Sequence, residues 1–102
     1  IDGNIYIASG GTILKFNTGV KEEFNLGVSG LPDNTKIYTE NGFTNLYILD
    51  PGGKRIVVVN KEGAVLQTLT NSQFNDLKDF YVDEKNKTIY VLNNNQLLKV
   101  GF

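Results

Sequence analysis

Asp50 and Arg55 stand on either side of a Pro51-Gly52-Gly53 turn, so a carboxylate and a guanidinium face each other across the end of a hairpin. An arginine fork in that position can clamp an anion or an acidic substrate. The same two residues can instead close the turn as a structural ion pair, the use that hairpin ends favour. Tyr6, Tyr47 and Tyr90 would form a stacking platform for bases or sugars if they lay together. Each sits inside an apolar run, however, where packing with a partner for the hydroxyl is the expected role. Asp76, Asp79, Asp83 and Glu84 offer hard oxygen ligands, but their spacing matches no calcium loop and a solvated acidic face is expected. Asn86-Lys87-Thr88 is formally a glycosylation sequon. Phe80 reads as core. Phe43, in a turn, and Phe74, in a link, are the candidate exposed contact residues, with filling of gaps between neighbouring units as the alternative.

Catalytic equipment is thin. The chain has no histidine and no cysteine, which removes the commonest general base, the thiol nucleophile and the usual zinc ligands. Ser9, Ser29 and Ser72 have no imidazole to activate them. No catalytic residue, cofactor-binding residue or metal ligand is therefore assigned, and no enzyme activity is expected. Ten basic residues, among them Lys15, Lys36, Arg55 and Lys99, are dispersed among eleven acidic ones for a net charge of −1. Phosphate contacts dominate nucleic-acid affinity, so this charge pattern argues against a nucleic-acid partner.

At 102 residues, 40% hydrophobic and 21% charged, the chain is one globular domain or part of one. Ile1-Asp2-Gly3-Asn4 is no signal peptide and no stretch approaches eighteen apolar residues, so no direct membrane contact is expected. The absence of methionine suggests a piece of something longer.

The elements that must position these residues are short. Between Asn45 and Leu69 lie three apolar runs, Leu46–Leu49, Ile56–Val59 and Val65–Leu69, separated by Asp50-Pro51-Gly52-Gly53 and Asn60-Lys61-Glu62-Gly63. Such runs punctuated by Gly, Pro, Asn and Asp read as strands joined by hairpins. Applied along the chain, the same rule predicts strands at Ile5–Ala8, Ile13–Phe16, Glu22–Leu26, Lys36–Glu40, Leu46–Leu49, Arg55–Asn60, Ala64–Leu69, Asp79–Asp83, Ile89–Leu92 and Leu97–Val100. Gly27–Thr35 and Thr70–Lys78 are left as links. Gly19 and Gly63 are expected at positive φ in their turns. Ile56-Val57-Val58-Val59 is apolar on both faces, as expected of a sheet sandwiched between two others.

Two registers repeat at one period. Tyr6, Tyr47 and Tyr90 are 41 and 43 residues apart, and Ile37-Tyr38 matches Phe80-Tyr81 at 43. A period in the low forties filled by four short strands is the pattern of a β-propeller blade. The expected fold is all-β, a propeller fragment of four-stranded antiparallel meanders. Residues 1–35 would form an incomplete blade, 36–78 a complete one and 79–102 a second incomplete one.

The stretch from Asn45 to Gly63, reading Leu-Tyr-Ile-Leu-Asp, a Gly turn, Arg-Ile, an apolar strand and an acidic Gly turn, closely resembles an NHL repeat. The motif decays at Ser9-Gly10-Gly11-Thr12 and Asn93-Asn94-Asn95-Gln96. The resemblance implies a six-bladed ring for the complete propeller and a structural role for the Asp50–Arg55 pair. NHL-like propellers include RNA binders, protein-interaction scaffolds, sensor domains of membrane proteins and a lyase that depends on histidine-rich metal chemistry. Fold alone sets no function. The expectation carried forward is a non-catalytic module for protein–protein interaction or extracytoplasmic sensing. Its alternatives are a ligand-binding or enzymatic propeller whose site lies in missing blades, and an RNA-binding one. The phrasing of Leu46–Val59 and Val82–Val91 has a bacterial look, and the resemblance implies an extracytoplasmic setting on a longer anchored protein.

An incomplete ring also implies open ends. Ile5, Ile7, Ile13, Leu14 and Phe16 at one end, and Ile89, Val91, Leu97, Leu98 and Val100 at the other, are expected on faces without neighbours. The partners expected for them are further blades of a parent chain or other copies of this one.

Overall fold

A computed structural model describes residues 4–9, 11–28, 30–32, 34–40 and 42–102. Ile1, Asp2, Gly3, Gly10 and Ser29, named above, lie outside the described residues.

Ten strands and no helix are present among the described residues. They are β1 Asn4–Ser9, β2 Thr12–Asn17, β3 Val20–Glu22, β4 Lys36–Tyr38, β5 Asn45–Asp50, β6 Arg55–Asn60, β7 Val65–Thr70, β8 Leu77–Asp83, β9 Thr88–Asn93 and β10 Gln96–Gly101. These form three antiparallel sheets in chain order, β1-β2-β3, β4-β5-β6-β7 and β8-β9-β10. The strands follow the predicted apolar runs to within a residue or two, with one larger departure. The expected strand Glu22–Leu26 is only Val20–Glu22. Beyond it Phe24 and Leu26 leave the sheet to pack against the second one, and the Gly27 amide donates to the Gly63 carbonyl at 2.8 Å. Burial of two apolar side chains there competes with two more rungs on an edge strand.

Two of the turns close on a glycine at positive φ. In the second sheet, Asn60 Oδ1 accepts from the amides of Glu62 and Ala64, both at 3.0 Å, and Gly63 closes the turn at φ +98°. That conformation disfavours any residue with a Cβ. Gly19 closes the shorter turn after β2 at φ +84°, where Asn17 pairs directly with Val20.

The second sheet is apolar on both faces because both are covered. Leu46, Ile48, Val57 and Val59 point back to the first sheet, with Ile13 and Leu31. Tyr47, Leu49, Ile56 and Val58 point forward to the third, against Val82, Ile89 and Val91. Alternation along the strand assigns neighbouring residues to opposite faces.

The same parity corrects the expectation for the end faces. Ile13, Ile89 and Val91 are fully buried between sheets, and Leu98 and Val100 pack partly buried against the forward core. The outermost faces carry Ile5 and Ile7 on the first sheet and Leu97 on the third, as expected, together with Tyr81 and Leu92. Leu14 and Phe16 pair with Ile7 and Ile5 across β1 and β2 and share their side of the sheet.

Candidate functional site: the turn pair, the inter-sheet lock and the open faces

The Asp50–Arg55 pair is built into its hairpin. Asp50 and Arg55 are directly opposed across β5 and β6, and Arg55 Nε donates to Asp50 Oδ2 at 2.8 Å. The other carboxylate oxygen, Oδ1, accepts from the Gly53 amide at 2.9 Å. The Asp50 side chain is only 4% exposed while that of Arg55 is 31% exposed. A Cβ on Gly53 would fall 2.5 Å from Asp50 Oδ2, so only glycine allows the turn to fold over the carboxylate. Both oxygens thus serve the turn, and the carboxylate is withdrawn from the surface where a ligand would be clamped.

Phe74 is not a surface contact residue. It is 3% exposed, inside the core shared by the second and third sheets. Its link folds as a turn in which the Phe74 amide donates to the Asn71 carbonyl at 2.9 Å, and this aims the ring inward. Asn93 then fixes the link. Its buried Oδ1 accepts from the amides of Asn75 and Asp76 at 3.1 and 2.9 Å, and its Nδ2 donates to the Gln73 carbonyl at 2.8 Å. Phe43 is half-buried, with its ring 5.9 Å from that of Tyr47 and 6.0 Å from that of Tyr38. Both rings fill space between sheets.

The tyrosines are kept apart by the sheets they belong to. Tyr6 packs edge-on to Phe24 at 5.8 Å in the rear core, and Tyr47 lies in the forward core. Tyr90 lies on the far side of the third sheet, beside Leu92 and Leu97. They form no common platform.

Of the four carboxylates near the third sheet, Glu84 has the most elaborate setting. It reaches across from the β8–β9 turn to the second sheet and accepts from the Tyr47 hydroxyl at 2.7 Å. It also accepts from the Thr44 amide at 2.8 Å, the Thr44 hydroxyl at 3.0 Å and the Asn45 amide at 3.4 Å. Desolvation alone would raise its pKa, but the bonds from Tyr47, Thr44 and Asn45 outweigh it and hold the group below its ordinary value. The same contact, together with burial, raises the pKa of the Tyr47 phenol. Asp83 is engaged locally with Asn86, whose Nδ2 donates at 2.8 Å, and is held below its usual range by that amide. Asp76 pairs with Lys78 at 3.3 Å and Asp79 with Lys36 at 3.9 Å. The four therefore point to separate partners, and no group of three or more ligating side chains gathers among the described residues.

Two depressions are lined by the candidate residues. One, of about 580 Å³, opens between the second and third sheets and is lined by Phe43, Tyr47, Val58, Glu84, Lys87 and Phe102. The other, of about 260 Å³, is the apolar hollow on the open face of the third sheet, lined by Phe80, Tyr81, Tyr90, Leu92 and Leu97 with Asp79. Asn93 has no role in the sequence reading, and Glu84 appears there only as one of four acids expected on a solvated face. The only signal for Glu84 is an acid six residues ahead of the recurrent tyrosine.

Among the described residues no helix is long and apolar enough to cross a membrane. No family model, no characterised protein and no solved structure matches the chain.

Proposed function

We propose that the chain is a stretch of an NHL-type β-propeller, roughly two and a half blades, that serves as a non-catalytic module for protein–protein interaction. The observation that carries this reading is the second sheet, four antiparallel strands with buried apolar side chains on both faces between two like sheets. A blade in a ring has that environment. The repeat supports it further, since Tyr6, Tyr47 and Tyr90 occupy matching places on β1, β5 and β9. Within the propeller reading, β4 and β8 are the first strands of their blades, β3 and β7 the last.

An interaction role follows from what the polar groups do. The carboxylates of Asp50, Asp83 and Glu84 hold turns and neighbouring sheets together. Apolar side chains dominate what is presented at the two outer faces, and exposed apolar patches on propeller-like scaffolds mark contact surfaces for other proteins. The NHL resemblance extends the proposal to an extracytoplasmic sensing segment of a bacterial anchored protein. Selection of binders from a displayed library of folded domains tests the role. The expected result is binders whose affinity falls at least about tenfold on substitution of an exposed residue such as Leu97 or Tyr81, with no turnover across a hydrolase and lyase substrate panel. Turnover abolished by Glu84→Gln in a variant that still folds would overturn it.

A further inference from the structure

Strands β4 and β8 are edge strands of the second and third sheets, and they touch at two places two residues apart. Lys36 Nζ lies 3.9 Å from Asp79 Oδ1, and the Tyr38 ring lies 5.4 Å from that of Tyr81, edge-on at 70°. Both contacts join residues 43 apart, the period of the repeat. Tyr38 also meets the Phe80 ring at 5.8 Å. Successive residues of a strand point to opposite faces, so a ring that reaches both Phe80 and Tyr81 straddles the edge of β8. Two strands of the chain itself make this contact, and it does not depend on what covers the outermost faces.

The chemistry around Tyr38 favours oxidation. Its hydroxyl donates to Glu40 Oε2 at 2.9 Å, so a proton acceptor is already in place on the phenol. Burial, Glu40 and the neighbouring Tyr81 hydroxyl all raise the Tyr38 pKa, which keeps the phenol protonated and the hydrogen bond intact at neutral pH. Loss of an electron makes a phenol hydroxyl strongly acidic, so a tyrosine bonded to a carboxylate gives up its electron and proton together. The other tyrosines have different neighbours. Tyr6 packs on Phe24. Tyr47 has the Glu84 carboxylate, but its ring neighbours are Phe43 and Phe102, which form no phenoxyl radical. Tyr90 stands opposite Tyr81 across β8 and β9 and is the competing partner.

We infer that Tyr38 and Tyr81 form an oxidative cross-linking site, at which hydrogen peroxide acting through a haem peroxidase ties the second sheet to the third as a dityrosine. Each phenol loses one electron and its hydroxyl proton, that of Tyr38 to Glu40 and that of Tyr81 to water. The two radicals pair through ring carbons ortho to oxygen, forming one C–C bond. The hydrogen on each of those carbons then leaves as a proton while a proton returns to each oxygen. In all, two electrons and two protons are lost, and they reduce one peroxide to two waters. A covalent tie between residues distant in sequence restricts the unfolded chain as a disulfide does, and this chain has no cysteine with which to make one. The inference is independent of the interaction role proposed above.

The test treats the folded 102-residue chain with hydrogen peroxide and a haem peroxidase, at a dilution where chains seldom meet. The expected product keeps the size of the monomer, has lost two hydrogens, shows dityrosine fluorescence and unfolds at a higher urea concentration than the untreated chain. Digestion with trypsin should leave peptides 37–54 and 79–85 joined, with fragmentation placing the link at Tyr38 and Tyr81. Tyr38→Phe and Tyr81→Phe should each abolish that product, and Tyr90→Phe should retain it. Glu40→Gln should slow its formation at least about tenfold. In concentrated urea the preference for Tyr38 and Tyr81 over the other tyrosines should vanish. Urea melts show which variants are folded, and the peptide map of the 102-residue chain itself decides the matter where a variant is not. A link from Tyr81 to Tyr90, a link formed only between chains, or a link distribution unchanged by urea overturns the inference. An unchanged rate in Glu40→Gln overturns the part given to the carboxylate.

Discussion

Tyr47 and Glu84, 37 residues apart, meet between the second and third sheets with the phenol donating to the carboxylate at 2.7 Å. The tyrosine is fully buried and the glutamate comes from a turn. One carboxylate thereby ties the next sheet to the Thr44 and Asn45 amides as well as to the ring. A hydrogen bond to a charged group contributes about 1.5–3 kcal/mol when its partner is buried. Tyr47→Phe is expected to cost about 1–2 kcal/mol, and a double-mutant cycle with Glu84→Gln should show coupling of about 1 kcal/mol. Urea melts of the four proteins measure it. Additive effects would mean that the two groups act independently.

The same pair fixes a pH dependence at both limbs. Glu84 is held below its ordinary value of 4.5 in the folded chain, so its contribution is present above that value and is lost as pH falls through the folded one. Tyr47 is raised above 10.0, so its contribution is present below pH 10 and declines as pH rises beyond it, where the unfolded phenol ionises first. Asp83, also held low, weakens the acid limb in the same direction. Melting temperature against pH for the parent chain and Glu84→Gln separates them. The variant should lose part of the acid slope and keep the remainder. An unchanged acid limb would remove Glu84 from the account.

Gly63 joins the first sheet's exit segment to the second sheet's turn. Its carbonyl accepts from the Gly27 amide, and a Cβ at its φ of +98° would collide with the Asn25 carbonyl oxygen. Gly19 has φ +84° with open space where its Cβ would go. Gly19→Ala therefore measures backbone strain alone, about 1 kcal/mol. Gly63→Ala carries the strain and the collision together, and about 2–4 kcal/mol is expected. Equal losses at the two sites in denaturant melts would show that the approach of Asn25 is not constraining.

Much of the strand layout was legible in the sequence because β-branched runs and turn residues act locally. Leu46–Leu49 and Ile56–Val59, apolar at every position, announced a sheet covered on both sides. That same property hid which face of an end sheet is open. Where both alternating sets are apolar, as along Ile89–Leu92, only the side from which the neighbour packs decides, and this is a tertiary fact. Phe74 read as exposed because its link is polar around it. The Asn93 amide that gathers the link comes from 18 residues away. Glu84 read as one of four surface acids for the same reason, since its partners lie on another sheet.

Charge and surface layout bear on nucleic acid. The described lysines lie among acids, and Lys36 and Lys78 are paired with Asp79 and Asp76. Affinity for random-sequence RNA is expected to be weaker than about 100 µM at 0.15 M salt, with a shallow salt dependence, because few counterions are released. Fluorescence anisotropy over a salt series reads both. A steep slope with micromolar affinity would restore the RNA-binding alternative.

The Asp50–Arg55 hairpin separates a structural pair from a ligand clamp by the order of its variants. Asp50 is the buried member, with Arg55 Nε and the Gly53 amide on its two oxygens. Truncating Arg55 leaves the carboxylate poorly paired, while water can still reach it from the side the guanidinium vacates. Arg55→Ala is therefore expected to cost about 1–2 kcal/mol, between the values for exposed and fully buried pairs. Gly53→Ala forces a methyl group to within 2.5 Å of Asp50 Oδ2 and 3.0 Å of Arg55 Nε, so it should disrupt the same contacts without removing a charge. Its cost should be similar, and it should fall sharply in an Asp50→Ala background, where the obstructing oxygen is gone. Denaturant melts of the single and double variants supply the comparison. Full stability in Arg55→Ala, with loss of binding to a selected partner, would return the pair to a ligand-holding role.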